Sequence, residues 1–190
     1  LDEAKISERK AIFSIPDFSS FFTSFELPPM TREELPSAIR FEARHYIPLP
    51  LSEVTLDWSI IKGEVDRKKT PLKILLVAVP NDIISQYQQI ASLSKLELKA
   101  LEAEVFGLVR SLVKEDKRTI ALLDIGAQST TINLIDEKIL KISHSFDVSG
   151  NQLTQLLAKS LNIDYNEAEG LKRKYGLSFP DKEAPAIALK

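Results

Sequence analysis

The residues best equipped for chemistry stand close together, from Asp124 to Thr131, in the run Asp-Ile-Gly-Ala-Gln-Ser-Thr-Thr. Asp124 closes a strand-forming stretch that begins at Thr119, and its carboxylate can hold a hydrated magnesium ion. Two residues later, Gly126 lets the backbone turn tightly enough for the amides of Ala127, Gln128 and Ser129 to face a phosphate. Ser129, Thr130 and Thr131 add hydroxyls at the same end, and Thr130 to Ile135 reads as the returning strand. Taken alone, these residues also describe a plain hairpin with an Asp-Ile-Gly turn, which is the simpler reading of so short a motif.

Other candidates are weaker. The chain has no cysteine, which removes disulfides, thiolate metal sites and a cysteine nucleophile. Its two histidines, His45 and His144, lie far apart, the first on a helix side and the second in a strand with no partner pattern for a metal site or a triad. No Gly-x-Ser-x-Gly elbow occurs. Glu33, Glu34, Glu102 and Glu104 read as surface and helix-start charges, Arg67-Lys68-Lys69 as a solvated basic turn, and Glu169 with Lys172 as an ion pair three residues apart on one helix face.

Composition sets the class. The 190 residues are 44% hydrophobic and 27% charged, which fits an ordinary folded protein with one large or two small cores. A net charge of -2 gives no global excess of positive charge for nucleic acid or an anionic membrane. No apolar run approaches the ~20 residues that span a bilayer, and Leu1 to Lys10 lacks the apolar core of a signal peptide. A cytoplasmic location is expected.

The elements that must position the turn follow in order. Residues 11–15 read as a strand, Pro16-Asp17 as a turn, and Phe18 to Leu27 as a second strand with Phe21, Thr23, Phe25 and Leu27 on one face. Thr31 and Glu34 form a capping box for a helix carrying Leu35, Ala38, Ile39, Ala43 and Tyr46, although Pro36 predicts a late start. Val54 to Ile61 alternates as a half-buried strand, and Leu72 to Pro80 is apolar on both faces, as a central strand should be. Asn81-Asp82 is the expected cap of a helix with Ile83, Tyr87, Ile90 and Ala91 inward. A short strand from Leu96, then a helix with Val105, Leu108, Val109 and Leu112, leads to the Asp124 hairpin. A third strand, Ile139 to Phe146, puts Leu140, Ile142, His144 and Phe146 on one face. Two helices follow, one led by Gly150 with Leu153, Leu156, Leu157 and Leu161 on one side, the other capped by Asp164 and carrying Ala168, Leu171 and Tyr175.

Strand, Asp-Ile-Gly turn, strand, strand and Gly-led helix is the order of half an actin-like ATPase. Residues 39–54, 75–87, 122–135 and 149–172 together resemble the PilM family, cytoplasmic actin-like proteins of type IV pilus assembly related to FtsA. The resemblance implies an α/β, actin-like (ribonuclease H-like) fold with an inserted α+β subdomain. It divides the chain into 1–30, a remnant of the first actin-like subdomain; 31–102, an inserted α-β-β-α-β subdomain; 103–118, a connecting helix; and 119–190, part of the second actin-like subdomain. It implies ATP with Mg2+ as cofactors: Asp124 (also toward the metal), Gly126, Ala127, Gln128, Ser129 and Thr130 match the second phosphate-binding turn, Gly150 and Asn151 the glycine-led segment beside the nucleotide, and Glu169 and Lys172 the pair that approaches ribose and base.

For partners, the resemblance implies the N-terminal peptide of PilN, an inner-membrane protein, bound in a groove of the inserted subdomain, with Arg40, Phe41, Glu42, Tyr46 and Ile47 matching a helix end at or near it. Self-association is a further expectation, and no nucleic acid or membrane span is implied. The family's first phosphate hairpin has no counterpart before Ala11 and its late adenosine-binding glycines none before Lys190, so the chain is expected to be a middle fragment that binds ATP weakly by itself. The reading is a scaffold at the inner membrane face with at most slow, regulatory hydrolysis. A cell-division scaffold like FtsA, and an ATPase or sugar kinase of the same superfamily, are the alternatives.

Overall fold

The computed structural model describes residues 3–66 and 70–176. The basic run Arg67-Lys68-Lys69 and everything after Gly176 lie outside the described residues. Contacts group the chain into two compact units, one within Leu1–Leu122 and Ile132–His144, the other within Leu123–Thr131 and Ser145–Lys190.

The first unit is built around its most apolar strand. β4 (Leu72–Pro80) lies between β2 (Phe21–Leu27) and β3 (Val54–Lys62), antiparallel to both. A strand flanked on both sides has no solvated edge, and its sequence shows this: Leu72, Ile74, Leu76 and Ala78 are all fully buried on one face, while Leu75 is buried on the other. Phe21, Thr23, Phe25 and Leu27 of β2 stand opposite Ala78, Leu76, Ile74 and Leu72, so the face expected from their alternation is the one that packs. α1 (Leu35–Ala43) covers this face with Leu35, Ile39 and Ala43, one residue per turn, and each fully buried leucine or isoleucine here contributes roughly 1.5–3 kcal/mol. Leu75 joins a second cluster with Ala103, Val105 and Leu140.

Three local details differ from the sequence reading. Asp17–Ser19 is a turn of 3-10 helix, so β2 starts at Phe21. Glu34 does reach back to Thr31, accepting its amide at 2.8 Å and its hydroxyl at 3.1 Å, but Thr31 is not the cap: the helix starts late, as Pro36 predicts, at Leu35 with Glu34 as its N-cap. Asn81 is not the cap of α2 (Asn81–Leu93), whose N-cap is Pro80; its amide group instead donates to Ser52 O at 3.0 Å and accepts the Thr55 hydroxyl at 2.8 Å, pinning the entry of β3.

β1 (Lys10–Ile15) pairs in parallel with β5 (Glu97–Ala103). The chain then enters α3 (Glu104–Leu108) and a π-helical turn, Val109–Val113. Asp17, only 4% exposed, accepts the Val105 amide at 3.1 Å and faces the Asn133 side-chain amide at 3.4 Å. β2 lies before position 30, yet its ladder partner β4 lies after position 31, so the sheet of the expected 31–102 unit also contains a strand from the preceding segment.

β6 (Ile120–Ile125), β7 (Thr130–Asp136) and β8 (Ile139–Phe146) form a sheet in that order. Leu140 is buried, but Ile142, on the same face of β8, is 56% exposed. In the second unit, Ser149 caps α4 (Gly150–Leu161), and Asp164 caps α5 (Tyr165–Tyr175) by accepting the amides of Asn166 and Glu167 at 2.8 and 3.0 Å. The buried position of α4 is Thr154, whereas Leu153 and Leu156, expected on a packed side, are 36% and 51% exposed.

Candidate functional site

The Asp-Ile-Gly corner is an open two-residue turn. Gly126 donates its amide to Ser129 O at 2.9 Å, which closes the hairpin around Ala127 and Gln128. Among the described residues, no acceptor is bonded to the amides of Ala127, Gln128 and Ser129. Asp124, Ala127 and Gln128 are exposed, and Gly126 and Ser129 half-buried. A turn with several unspent N–H groups at the surface is a chemically fitting cradle for a phosphate. Gly126 is needed for space: a Cβ there would stand 3.0 Å from Ser129 O, crowding the carbonyl that closes the turn.

The hydroxyls divide into free and committed. Thr130 is 4% exposed and donates to Val148 O, and Thr131 is bonded to the Ser145 hydroxyl at 2.8 Å. Both anchor the start of β7 from inside, which leaves Ser129 as the hydroxyl at the turn's surface. Asp124 is the carboxylate nearest the turn in sequence, and among the described residues no group of three or more His, Cys, Asp or Glu side chains is placed to hold a metal. A magnesium ion there would be held through water, with Asp124 as its protein anchor.

The start of α4 is tied to this turn through the backbone. Gly150 donates to Gly126 O and Asn151 to Ala127 O, each at 2.9 Å, so the first amides of α4 serve to hold the turn. The Asn151 side chain accepts the Tyr165 hydroxyl at 3.1 Å. A Cβ on Gly150 would meet Gly126 O at 3.4 Å, Lys172 Nζ at 3.6 Å and Ala127 Cα at 3.7 Å, ordinary contact distances that show how closely the helix start packs on the turn. Glu169 and Lys172 sit behind the same helix start. Their Oε2 and Nζ are 2.7 Å apart, and Arg173 Nε reaches the other Glu169 oxygen at 2.8 Å. Hydrogen bonds from Lys172, Thr154 and Arg173 hold the Glu169 carboxyl down at about 2, well below its ordinary 4.5. The turn, Gly150, Asn151, Glu169 and Lys172, scattered over almost fifty residues, are thus one connected structure. Thr154 and Arg173 complete it and were not singled out by sequence; the readable signal was a threonine on the inward stripe of an otherwise leucine-bearing helix.

The first unit carries a different kind of feature, a cavity of about 690 Å3. Phe18, Phe21, Leu49 and Ile83 give it apolar walls, and Ser19, Ser52, Glu53, Asn81 and Asp82 supply the polar part of the lining. A peptide side chain with an apolar body and a basic end matches that combination. The five residues expected at a peptide groove lie outside the lining of this cavity. Ile47 is buried in the core; Tyr46 stacks on Phe25 at 5.5 Å between ring centroids; Glu42 faces His45 at 3.9 Å. Arg40 and Phe41 lie on the outer side of α1, with Phe41 62% exposed and edge-on to His45. None of the five lines the cavity.

Comparison with known proteins gives a consistent picture. The sequence profile of the family described as type IV pilus assembly protein PilM matches residues 3–184. Among solved structures, a chain of the PilM-PilN type IV pilus biogenesis complex superposes with a TM-score of 0.81 at 27% identity, over 93% of this chain and 54% of that one. The cytoplasmic domain of EpsL, an inner membrane component of the type II secretion system of Vibrio cholerae, shares the fold with a TM-score of 0.54 at 15% identity, over 85% of this chain and 60% of that one. The cell division protein FtsA of Enterococcus faecalis is 26% identical over 105 residues, which is 54% of this chain and 24% of that protein. The chain therefore spans about half the length of its pilus relative and about a quarter of its division relative.

Proposed function

The chain belongs to the type IV pilus assembly protein PilM family and has its actin-like α/β fold, and from that premise we propose that it serves as an assembly scaffold whose first unit docks the cytoplasmic tail of a PilN-like inner-membrane protein. The observation that carries this reading is the apolar cavity with two carboxylates in its lining. A tail reaching it would bury apolar side chains against Phe18, Phe21, Leu49 and Ile83 and set a cation toward Glu53 and Asp82. Docking of this kind places the scaffold at the inner membrane face through its partner. Among the described residues no helix is long and apolar enough to cross a membrane.

ATP with magnesium is the second part of the proposal. When bound, the nucleotide supplies a compact polyanion. The amides of Ala127, Gln128 and Ser129 would hold its phosphates, Asp124 would hold the hydrated metal, and Gly150 and Asn151 would keep the turn in place. A single turn offers few hydrogen bonds and little enclosure, so affinity for ATP is weak in this chain, and any hydrolysis is slow and regulatory.

Titration calorimetry with a synthetic N-terminal peptide of a PilN-type protein tests the scaffold role. Saturable binding by the folded chain is expected, and its absence sinks the reading. The FtsA relatives favour a division scaffold as the second reading, and that reading gains if the pilus peptide is ignored.

A further inference from the structure

One peptide unit links the turn to a half-buried charged cluster around Thr154. The Gly150–Asn151 peptide offers its N–H, on Asn151, to Ala127 O at 2.9 Å, and its C=O, on Gly150, accepts Lys172 Nζ at 2.9 Å. Because a peptide is planar and trans, fixing its carbonyl fixes the direction of its N–H. An ammonium on the carbonyl also polarises the amide and strengthens the bond made by the N–H. Lys172 therefore acts on Ala127 through a single rigid plane.

Lys172 itself has nothing to spare. An ammonium has three N–H donors, and its Nζ has three acceptors: Gly150 O at 2.9 Å, Thr154 Oγ1 at 2.8 Å and Glu169 Oε2 at 2.7 Å. Thr154, fully buried, stands at the centre, accepting from Lys172 while donating to Glu169 Oε2 at 2.6 Å. The remaining Glu169 oxygen is taken by Arg173.

We propose that Lys172, Glu169 and Thr154 are positioning residues: they orient the 150–151 peptide plane, and through it the Gly126–Ser129 turn. The consequence for ligands rests on the reading of that turn as a phosphate site, but the mechanical claim does not.

Amide hydrogen exchange resolved by NMR tests the mechanical claim without any ligand. In Lys172→Met and Thr154→Val, the amides of Gly150 and Asn151 are expected to exchange about tenfold faster or more, with amides of β4 unchanged and Thr154→Ser close to the parent. Unchanged exchange in Lys172→Met, or a Thr154→Val chain indistinguishable from Thr154→Ser, overturns the proposal. Inorganic tripolyphosphate, which has no ribose, then tests the ligand claim: Lys172→Met is expected to weaken its binding as well as that of ATP. A loss confined to ATP overturns the positioning role. If neither polyanion binds the parent chain, the phosphate-site reading fails while the exchange result still decides whether the clasp holds the turn.

Discussion

Each of the two units owes its internal cohesion to different physics. In the first, β4 contributes Leu72, Ile74, Leu76 and Ala78 to a core that α1 closes with Leu35, Ile39 and Ala43, and burial of apolar surface does the work. In the second, the turn, α4 and α5 meet through hydrogen bonds converging on Gly150, Thr154 and Lys172, while Leu153 and Leu156 remain open to solvent. An apolar core tolerates changes of pH and salt and punishes lost volume. A charged cluster does the reverse. The unit that keeps its shape by packing also carries the apolar-walled cavity, and the unit that keeps its shape by polar bonds carries the turn with the unspent amides.

The largest expected effect is therefore a cavity in the first core. Leu76→Ala, at a fully buried position in the middle of the central strand, is expected to cost about 2–5 kcal/mol in urea denaturation. If the amides of Gly150 and Asn151 lose protection below the unfolding transition as much as those of β4, the contrast between the units is wrong. Next comes the turn. Gly126→Ala sets a Cβ 3.0 Å from Ser129 O, so the closing bond must lengthen and the free amides swing. Affinity for tripolyphosphate is expected to fall about tenfold, worth ~1.4 kcal/mol, with little change in circular dichroism.

How far these regions could be read from the sequence follows the same division. β4 and β3 were legible because burial on two faces and on one face leave different patterns, and those patterns lie within nine residues each. The Asp124 turn and the helix cap at Asp164 were legible because they are local. The parallel pairing of β1 with β5 joins residues some ninety positions apart, and no periodicity records it. Asn81 carries a cap-forming side chain but spends it on Ser52 and Thr55, because the Thr55 hydroxyl, a tertiary donor, takes the oxygen that would have accepted a local amide. The cavity draws on the Phe18, Leu49 and Ile83 neighbourhoods, three segments whose meeting only the fold determines. Leu153 and Leu156 show the opposite error, an apolar helix stripe whose exposure the pattern alone did not foretell.

The charged cluster makes a pH prediction of definite sign. The Glu169 carboxyl titrates at about 2 in the folded chain against an ordinary 4.5, so its ionised form is favoured by folding. Its contribution to stability is complete above pH ~4.5 and is lost as pH falls from there toward 2. Urea midpoints measured between pH 6 and pH 2.5 are expected to drop less steeply in Glu169→Gln than in the parent. Parallel curves would mean that the bonds from Lys172, Thr154 and Arg173 do not favour the carboxylate in solution.

The smallest expected effect sharpens where a tail docks. Phe41 is 62% exposed on α1 and touches His45, so Phe41→Ala removes little buried surface and is expected to change stability by less than about 0.5 kcal/mol. Ser52→Trp, on an exposed rim position of the cavity, instead fills the space a tail side chain would need. With the PilN-type peptide as probe, Ser52→Trp is expected to weaken binding about tenfold and Phe41→Ala by no more than about twofold. The reverse ranking would move the docking surface from the cavity to the outer face of α1, where Arg40 and Phe41 stand together. The apolar lining of the cavity would then need another occupant, and the division of labour between the two units would have to be redrawn around a helix face.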